Sequence, residues 1–565
     1  MLPLSLENAS SVACLTLGRP QFKDPSIAAI ARESGDAAAW QAALANGPVE
    51  AAAGASGDFA VALRDASGRT FLAVDRFAVR TLCYRLVDGE LRFAPRADDL
   101  AGRDGALAPQ AIFDYLYFHA IPSPRTVFDH VSRLPPGHYA LYEHGRLTVA
   151  PYWVPHFEPT RTPSFEALRD EFRALLRRAV ARQLGSGKPA CFLSGGTDSS
   201  TVAGLIGEVT GQPAATYSIG FEAQGYDEMA YARIAARRFG TRHHEYYVTP
   251  DDLVRTIESV AQHYDQPFGN SSAVPAYHCA LLAREDGVDT LLAGDGGDEL
   301  FGGNARYAKQ RVFGWYAEVV PAGLRAHLLE RLGAVDGLRR VPLWRKCVSY
   351  IEQARVPMPD RMQMYNLLMR LGVDAVLEPR FRERVDIDDP ARQQRMVWRQ
   401  PHAPVEIDRT LAYDWRYTLA ENDLRKVVGT TEMAGIGVGF PLLDQELLDF
   451  SMRLPAHYKL RGLRLRWFFK EALRGFLPDE IIAKKKHGFG LPFGVWVCQH
   501  PGLKALAADA LGSLKSRGIV RADFIGRLWD DYLPSHPGYY GEMVWILMML
   551  ELWMRRHAPG WACRA

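Results

Sequence analysis

The sequence predicts an α/β protein with a mostly β N-terminal part and a larger part built on a parallel sheet. Three patterns predict it. Residues 1–155 carry short apolar runs separated by glycine-centred turns, and residues 190–293 alternate between strand and helix patterns. Beyond about residue 305 the pattern is predominantly helical. We therefore expect two domains, the usual division of a chain of 565 residues.

The N-terminal elements follow hairpin patterns. The runs "GDFAVALRD" and "RTFLAVDRF" flank the turn "ASG" and predict a β-hairpin, and "VDGELRFAP" and "LPPGHYALYEHGRLTVAPYW" predict further strands. An alanine-rich stretch predicts a helix near residues 36–53. The proline-rich "PHFEPTRTPS" predicts a linker, which bounds a first domain at residues 1–155 and a second at 164–560.

The sequence of the second part predicts parallel strands that are joined by crossover helices. Strand patterns in "ACFLS", "AATYSIGF", "HHEYYV" and "DTLLAG" alternate with helical patterns. Strands joined in this way form a parallel sheet, and its ligands bind beyond the carboxyl ends of the strands. The late apolar run "MVWILMML" is too short to span a bilayer and predicts a buried helix.

Composition excludes several classes of function. The chain has 67 Lys and Arg against 65 Asp and Glu, so its net charge of +2 argues against nucleic acid as a partner. Seven scattered cysteines without a C-x-x-C pair indicate neither a zinc site nor a disulfide framework. We expect a cytoplasmic protein with no membrane partner.

The stretch "CFLSGGTDSS" lies where a strand passes into a helix. Gly195 and Gly196 allow close backbone approach, and the helix N-terminus favours an anion. Ser194 and Ser199 add hydroxyl donors. Asp198 would repel a bare phosphate, which points to a bridging Mg²⁺. An ordinary glycine-rich βα turn is the alternative interpretation.

A second strand end carries "LLAGDGGDELFGG". Two aspartates and several glycines exceed what a plain turn needs, and Asp298 could hold the same Mg²⁺ as Asp198. The alternative is a solvated acidic loop.

These segments together resemble the asparagine synthetase family. The resemblance rests on "SGGTDSS", "TYSIGFEAQGYDEMAYAR", "YDQPFGNSSAVPAY", "GDGGDELFGG", "FPLLDQELLDFSMRLP" and "KKKHGFGLPFGVW", with "GDFAVALRD", "DRFAVRTLCY" and "LPPGHY" in the N-terminal part. It implies an N-terminal β-rich remnant of an Ntn-type (αββα) glutaminase domain. It also implies a C-terminal parallel-sheet domain of the ATP pyrophosphatase type with a helical end.

The family resemblance implies a two-step reaction with ATP and Mg²⁺. ATP activates a carboxylate as an acyl-adenylate with release of pyrophosphate, and ammonia or an amine then forms the amide. Matching the family's motifs to this sequence implies that Asp295 and Lys486 are the catalytic residues. It also implies that Asp198 and Asp298 are the metal ligands. The expected ATP-binding residues are Leu193, Ser194, Gly195, Gly196, Asp198, Ser199, Ile219, Ala293 and Gly294. We expect Lys484 and Lys485 to be merely solvated.

The chain departs from the family at two places. Glutamine-hydrolysing members have a cysteine after the initiator methionine, where this chain has Leu2. Cys14 lies in an apolar run and is expected to pack in the core, so the glutaminase domain is expected to be truncated and inactive. Gly437 and Gly439 replace the family's Glu and Arg, which the resemblance places near the acceptor pocket. That replacement leaves Glu432 and Asp444 as the expected nearby acids.

Several functions remain open at this point. One is an asparagine synthetase-type ligase, as in asparagine biosynthesis, that uses ammonia or a substrate amine. Relatives without the cysteine include lasso-peptide macrolactam and β-lactam synthetases, and the latter carry a Tyr at the position of Asp295. A non-catalytic ATP-binding relative is the third. The expected partners are a small-molecule or peptide carboxylate, an amine or ammonia, and a second copy or other biosynthetic proteins.

Overall fold

The computed structural model describes residues 13–102, 105–160, 164–185, 187–223, 225–319, 352–484 and 490–563. It is a mixed α/β structure, as the sequence predicts. An N-terminal β-rich part precedes a parallel sheet that helices surround.

The N-terminal part is built on an antiparallel five-stranded sheet of order β1-β4-β5-β9-β10. The predicted hairpin is confirmed as β4 and β5, which pair with Val61 opposite Ala73. The strands of this part are β1 (Ala13–Gly18), β2 (Gln21–Phe22), β3 (Ala55–Ser56), β4 (Phe59–Arg64), β5 (Thr70–Val74), β6 (Cys83–Val87), β7 (Glu90–Ala94), β8 (Ser132–Arg133), β9 (His138–Glu143) and β10 (Arg146–Pro151).

The remaining N-terminal strands form small sheets, β2 with β3 and β7-β6-β8. The helix predicted near residues 36–53 is two helices, because Gly47 with φ +112° interrupts it. The helices of this part are Pro25–Ser34, Asp36–Leu44, Pro48–Ala53, Ala97–Ala101 and Pro109–Phe118.

The second part contains a parallel five-stranded sheet of order β13-β12-β11-β14-β15. Four of its strands match the predicted runs: β11 (Ala190–Phe192), β12 (Ala215–Phe221), β13 (Arg242–Val248) and β14 (Thr290–Leu292). The fifth, β15 (Gly437–Gly439), pairs with β14 and was not predicted, because its two glycines give no strand pattern. A short hairpin, β16 (Leu460–Arg461) and β17 (Arg464–Leu465), lies farther along the chain.

Helices cover the parallel sheet and form the rest of the chain. A π-helix, Trp415–Asp423, continues directly into helix Leu424–Ala434. The helices from residue 164 to residue 319 are Phe165–Gln183, Thr197–Thr210, Met229–Phe239, Pro250–His263, Ala273–Glu285, Gly297–Phe301 and Ala305–Val319.

The helices from residue 352 onward are mostly short. Those not yet named are Asp360–Gln363 (3₁₀), Leu367–Leu371, Val373–Val376, Pro379–Arg382, Asp389–Arg399, Glu406–Asp414, Pro441–Leu443 (3₁₀), Gln445–Arg453, Ala456–Lys459, Trp467–Ala472, Asp479–Ala483, Phe493–Gln499, Pro501–Leu514, Lys515–Arg517 (3₁₀), Ala522–Arg527, Leu528–Tyr532 (π), Leu533–Ser535 and Pro537–His557.

One hydrophobic core joins the two parts. It contains Tyr115 and Phe128 from the N-terminal part together with Trp545 and Trp553 of helix Pro537–His557. Tyr115 Oη donates a hydrogen bond of 2.8 Å to the Ile546 carbonyl. The run predicted as a buried helix is therefore confirmed, and none of the helices described here could cross a bilayer.

A buried ionic cluster also ties the two parts together. Glu421 of the π-helix accepts from Arg133 at 2.5 Å and from Ser123 Oγ at 2.7 Å, and Arg416 lies 2.9 Å away. Burial opposes the charge of Glu421, but the two guanidinium groups hold the pKa of this carboxyl below its usual value. Glu421 is therefore a charged, fully paired side chain in the region between the two parts.

Candidate active site

The loop after β11 turns sharply into helix Thr197–Thr210. Gly195 has φ +67°, and a Cβ there would lie 2.4 Å from the backbone nitrogen of Ala232. A side chain would therefore collide with helix Met229–Phe239. Gly196 occupies the N-cap position and has no side chain to cap the helix. The first N–H groups of this helix are thus available to an anion.

Serine hydroxyls fix the shape of the same loop. Ser199 Oγ accepts a hydrogen bond of 3.1 Å from the Ser194 N–H and lies 3.1 Å from Ser194 Oγ. Ser218 Oγ, on β12, donates to the Leu193 carbonyl. The loop is held in place by its own residues and by the neighbouring strand.

The loop after β14 lies directly against the first loop. A Cβ at Gly294 would lie 2.8 Å from the Ser199 nitrogen. A Cβ at Gly297 would lie 2.0 Å from Asp198 Oδ1. Glycine at these positions lets the two strand ends approach, and Asp198 and Asp298 come to face each other.

Arg466 lies between these two aspartates. Its Nη1 donates to Asp198 Oδ2 at 2.7 Å, to Asp298 Oδ1 at 2.7 Å and to Thr197 Oγ1 at 2.8 Å. Its Nη2 also contacts Asp198. Both carboxylates are thus close enough to bind one cation together, and a protein cation occupies that position here. Two carboxylates this close fit Mg²⁺ by ligand chemistry.

Arg466 is a site residue that the sequence did not predict. It precedes helix Trp467–Ala472 with φ +52°, an uncommon conformation for a residue with a side chain. Its guanidinium carbon lies 4.0 Å from the centroid of the Phe469 ring, and the residue is 3% exposed. The segment "GLRLRWFFKEAL" offered only a charge pattern, which does not distinguish a buried arginine from a solvated one.

Asp295 interacts electrostatically with Lys426. Burial raises the pKa of Asp295 to about 6, against the opposing charge of Lys426. Lys426 Nζ donates to Asp423 at 3.1 Å. Burial alone would lower the pKa of Lys426, but Asp423 and Asp295 raise it overall. Lys426, three residues after the end of the π-helix, thereby supplies a positive charge to the loop that follows β14.

A cavity of about 1230 Å³ connects these groups. Its wall includes Asp295, the predicted metal ligand Asp298 and most of the predicted ATP-binding residues, namely Leu193, Ser194, Gly196, Asp198, Ser199, Ile219 and Gly294. Gly195 instead packs behind the loop. Ala293 is buried, with its N–H bonded to the Gly439 carbonyl at 2.8 Å. Lys486 lies outside the described residues.

Lys484 corrects one expectation. Its side chain is only 8% exposed and its Nζ lies 3.1 Å from Glu228 Oε2. It also lines the cavity. The prediction that Lys484 is merely solvated is therefore wrong, because a carboxylate and an aromatic ring enclose its ammonium group. Lys485 lies outside the described residues.

The positions expected near the acceptor pocket lie apart from the wall of this cavity. A Cβ at Gly439 would meet Gln183 and Leu292, and one at Gly437 would meet Thr290, since both glycines lie in strand β15. None of the four expected positions lines the cavity. Glu432 pairs with Arg80 at 3.2 Å, and Asp444 pairs with Arg182 at 3.4 Å.

Contrary to the expectation from the sequence, Cys14 does not pack in the core. It lies on β1, an edge strand, and is exposed. Partial burial nevertheless raises the pKa of its thiol, and complete burial raises that of Cys83 further.

Comparisons with known proteins give two family matches. The family model for asparagine synthase matches residues 171–555, and that for a glutamine amidotransferase domain matches residues 32–153. Asparagine synthetase [glutamine-hydrolyzing] 1 of Bacillus subtilis is 24% identical over 85% of this chain and 74% of its own length. A putative asparagine synthetase of Mycobacterium tuberculosis is 26% identical over 88% and 76%. The amidase chyE of Penicillium rubens is 28% identical over 78% and 70%.

Proposed function

The chain belongs to the asparagine synthase family, a family of ATP-dependent amide ligases, and we propose that it is an AMP-forming ligase. In this proposal it adenylates a carboxylate with release of pyrophosphate and transfers the acyl group to an amine or ammonia. The observation that carries the proposal is the meeting of two glycine-rich strand-end loops at Asp198 and Asp298, on the wall of one large cavity.

The described residues support distinct roles in this reaction. The backbone of residues 193–196 and the start of helix Thr197–Thr210 bind the ATP phosphates, where helix N–H groups favour negative charge. Ile219 and Gly294 border the adenosine. Leu193, Ser194 and Ser199 keep the loop in its binding conformation. We assign Asp295, which interacts electrostatically with Lys426, to the reaction of the substrate carboxylate with the α-phosphate.

Asp198 and Asp298 would hold the magnesium ion, which neutralises phosphate charge when it is bound. Among the described residues no cluster of three or more His, Cys, Asp or Glu side chains could hold a metal ion. The phosphates and water therefore supply the remaining oxygen ligands in this proposal. Lys486 is the proposed cation that stabilises charge on the departing pyrophosphate.

We further propose that the protein has no glutaminase activity of its own. The thiolate is the nucleophilic form of cysteine, and a thiol with a raised pKa is little ionised near neutrality. Cys14 and Cys83 both have raised pKa values and are the cysteines in the described part of residues 13–160. We also propose that the chain is divided into two domains, residues 1–155 and residues 164–560. In the proposed reaction the nucleophile is ammonia or a substrate amine.

A second candidate is closure of an amide within one peptide, as in macrolactam synthetases. The cavity exceeds the range of about 300–1,000 Å³ that is typical of sites for one small ligand. Leu463, at the turn between β16 and β17, is 50% exposed and lines the same cavity. In this second candidate the exposed leucine contacts an apolar side chain of the peptide, a group that free aspartate lacks.

The test is ATP–pyrophosphate exchange with a panel of carboxylates that includes aspartate, its amide-blocked derivatives and acidic peptides. The proposal expects exchange with at least one of them, dependent on Mg²⁺ and lost in Asp198→Ala. Exchange with peptides but not with aspartate would favour the second candidate. Nucleotide binding without exchange for any carboxylate in the panel would favour a non-catalytic relative instead.

A further inference from the structure

Three segments that are distant in sequence meet beside the phosphate-binding loop. They are the loop itself at Gly195, the start of helix Met229–Phe239 and the residue that follows helix Asp479–Ala483, Lys484. Lys484 Nζ lies 3.1 Å from Glu228 Oε2 and 3.5 Å from the Gly195 carbonyl oxygen. It also lies 4.6 Å from the centroid of the Tyr231 ring.

We propose that Lys484 and Glu228 form a positioning pair that fixes the orientation of the Gly195–Gly196 peptide, and so the affinity of the loop for a polyphosphate. This inference rests on the proposed ATP-binding function. Neither residue is assigned to the chemical step. Lys484 acts through the loop that it holds.

The geometry of the peptide supports the proposal. In a trans peptide the carbonyl and the following N–H point in opposite directions. An ammonium group that attracts the Gly195 carbonyl therefore sets the direction of the Gly196 N–H. That N–H is otherwise held only weakly, at 3.4 Å from Ser194 Oγ. Gly196 lines the cavity, so the direction of its N–H bears on anion binding.

The packing of Gly195 explains why the Gly195–Gly196 peptide needs a second contact to fix its orientation. Gly195 has φ +67°, and it packs against the backbone of Tyr231 and Ala232. Glycine can leave such a conformation more easily than other residues because it has no Cβ to restrict it. Glu228 is the N-cap residue of the helix that Gly195 contacts. The ion pair therefore joins the loop to the helix that supports it.

The burial of the pair makes its interaction effective. The side chain of Lys484 is 8% exposed and that of Glu228 is 20% exposed, so solvent screens the pair less than it screens surface pairs. Arg233, on the same helix, pairs with Glu245 of β13 and offers a matched contrast, since the Arg233 side chain is 46% exposed and does not line the cavity.

The experiment measures the dissociation constant of ATP–Mg²⁺ by calorimetry for the full chain and four variants. Lys484→Met should weaken binding about tenfold, the usual scale for one hydrogen bond from a charged group. Glu228→Gln should weaken it less, and Lys484→Arg should stay near wild type because arginine still donates to the carbonyl. Arg233→Met, the matched control, should bind as wild type does.

A charge-reversed double variant separates two roles of Lys484. Glu228→Lys with Lys484→Glu restores the ion pair but gives residue 484 no donor for the Gly195 carbonyl. The proposal expects ATP binding to remain weak in this variant. Recovery of wild-type affinity would overturn the role assigned to the carbonyl contact.

Melting temperatures keep the test decisive. If Lys484→Met lowers the melting temperature, the Lys484→Arg variant decides. Wild-type melting temperature and affinity in Lys484→Arg support the proposal, whereas weakened ATP binding in Lys484→Arg overturns it. Unchanged affinity in Lys484→Met, with wild type binding ATP, also overturns it. If wild type itself fails to bind ATP, the proposed function fails and this inference fails with it.

Discussion

Asp198 and Asp298 share one guanidinium nitrogen, since Nη1 of Arg466 lies 2.7 Å from an oxygen of each. The two aspartates follow different strands, β11 and β14, which are neighbours in the sheet. The positive charge of Arg466 therefore offsets their mutual repulsion.

Asp198→Asn and Asp298→Asn should each weaken ATP–Mg²⁺ binding by about tenfold or more, since each removes a charged ligand from the proposed metal site. Calorimetric titration at several Mg²⁺ concentrations measures this. Asp479→Asn is the control, because Asp479 lines the same cavity but its side chain is 82% exposed. Equal affinities in all three variants and wild type would contradict the metal assignment.

Arg466→Met should lower the melting temperature in the absence of Mg²⁺, because it removes a buried guanidinium group that bonds to both carboxylates. Breaking a buried pair in this way costs roughly 3–5 kcal/mol. Added Mg²⁺ should then raise the melting temperature more in the variant than in wild type. Thermal unfolding with and without Mg²⁺ measures both effects, and an equal Mg²⁺ response in the two proteins would contradict the prediction.

Asp295→Asn should stabilise the fold at pH 7.5. Burial raises the folded-state pKa of Asp295 to about 6, above its ordinary value of 3.8. The folded state therefore holds more protons than the unfolded state between these two values, and stability falls as pH rises through this window. The asparagine variant removes that cost, which is about 3 kcal/mol at pH 7.5 for a pKa shift of this size.

The gain should disappear below about pH 4, where the carboxyl group is protonated in both states. Thermal unfolding of Asp295→Asn at the two pH values measures this. Lys426 keeps its contact with Asp423 in this variant, at 3.1 Å. The same stabilisation at both pH values would show that the ionisation of Asp295 is not the cause.

Lys486→Ala should lower the rate of ATP–pyrophosphate exchange by about 10²- to 10³-fold, the scale of one electrostatic donor to a transition state. ATP affinity should fall less, because the loop already binds the ground state. Lys486→Arg should rescue only in part, since a planar guanidinium differs from a compact ammonium. Lys504→Ala, at an exposed position, is the control. Equal, mild losses in all of these variants would contradict the catalytic role.

Glutamine hydrolysis should be undetectable. Glutamate release from glutamine, measured before and after thiol alkylation, tests this expectation. Cys14→Ser should leave the result unchanged, because partial burial keeps the pKa of that thiol raised. Glutamate release that alkylation and Cys14→Ser both abolish would identify Cys14 as a nucleophile.

The sequence predicted the strand-end loops because each follows a run with a clear strand pattern. It therefore also predicted that Asp198 and Asp298 would meet, once β11 and β14 were taken as strands of one parallel sheet. It missed Arg466, Lys426 and Lys484, which reach the cavity from helix ends and turns. In those segments a buried cation and a solvated one have the same sequence pattern.

Glycine also hid the fifth strand of the parallel sheet. Gly437 and Gly439 carry no hydrophobic pattern, so neither β15 nor its place beside β14 could be predicted. Their neighbours are Thr290, Gln183 and Leu292, which only tertiary contacts reveal. The expectation that these two positions lie near the acceptor pocket rests on position in a motif, and a motif does not give the direction in which a side chain would point.

The core that contains both Tyr115 and Trp553 limits how the gene can be shortened. A product beginning at residue 164 would expose one side of helix Pro537–His557 and would leave Glu421 without Arg133 and Ser123. Residues 105–133 pack against the second part as a separate subunit would, and this structural role does not depend on any chemistry of the N-terminal part. Substitutions there should therefore be tolerated according to volume and polarity, and engineered versions of the enzyme must retain this segment or supply it as a second polypeptide.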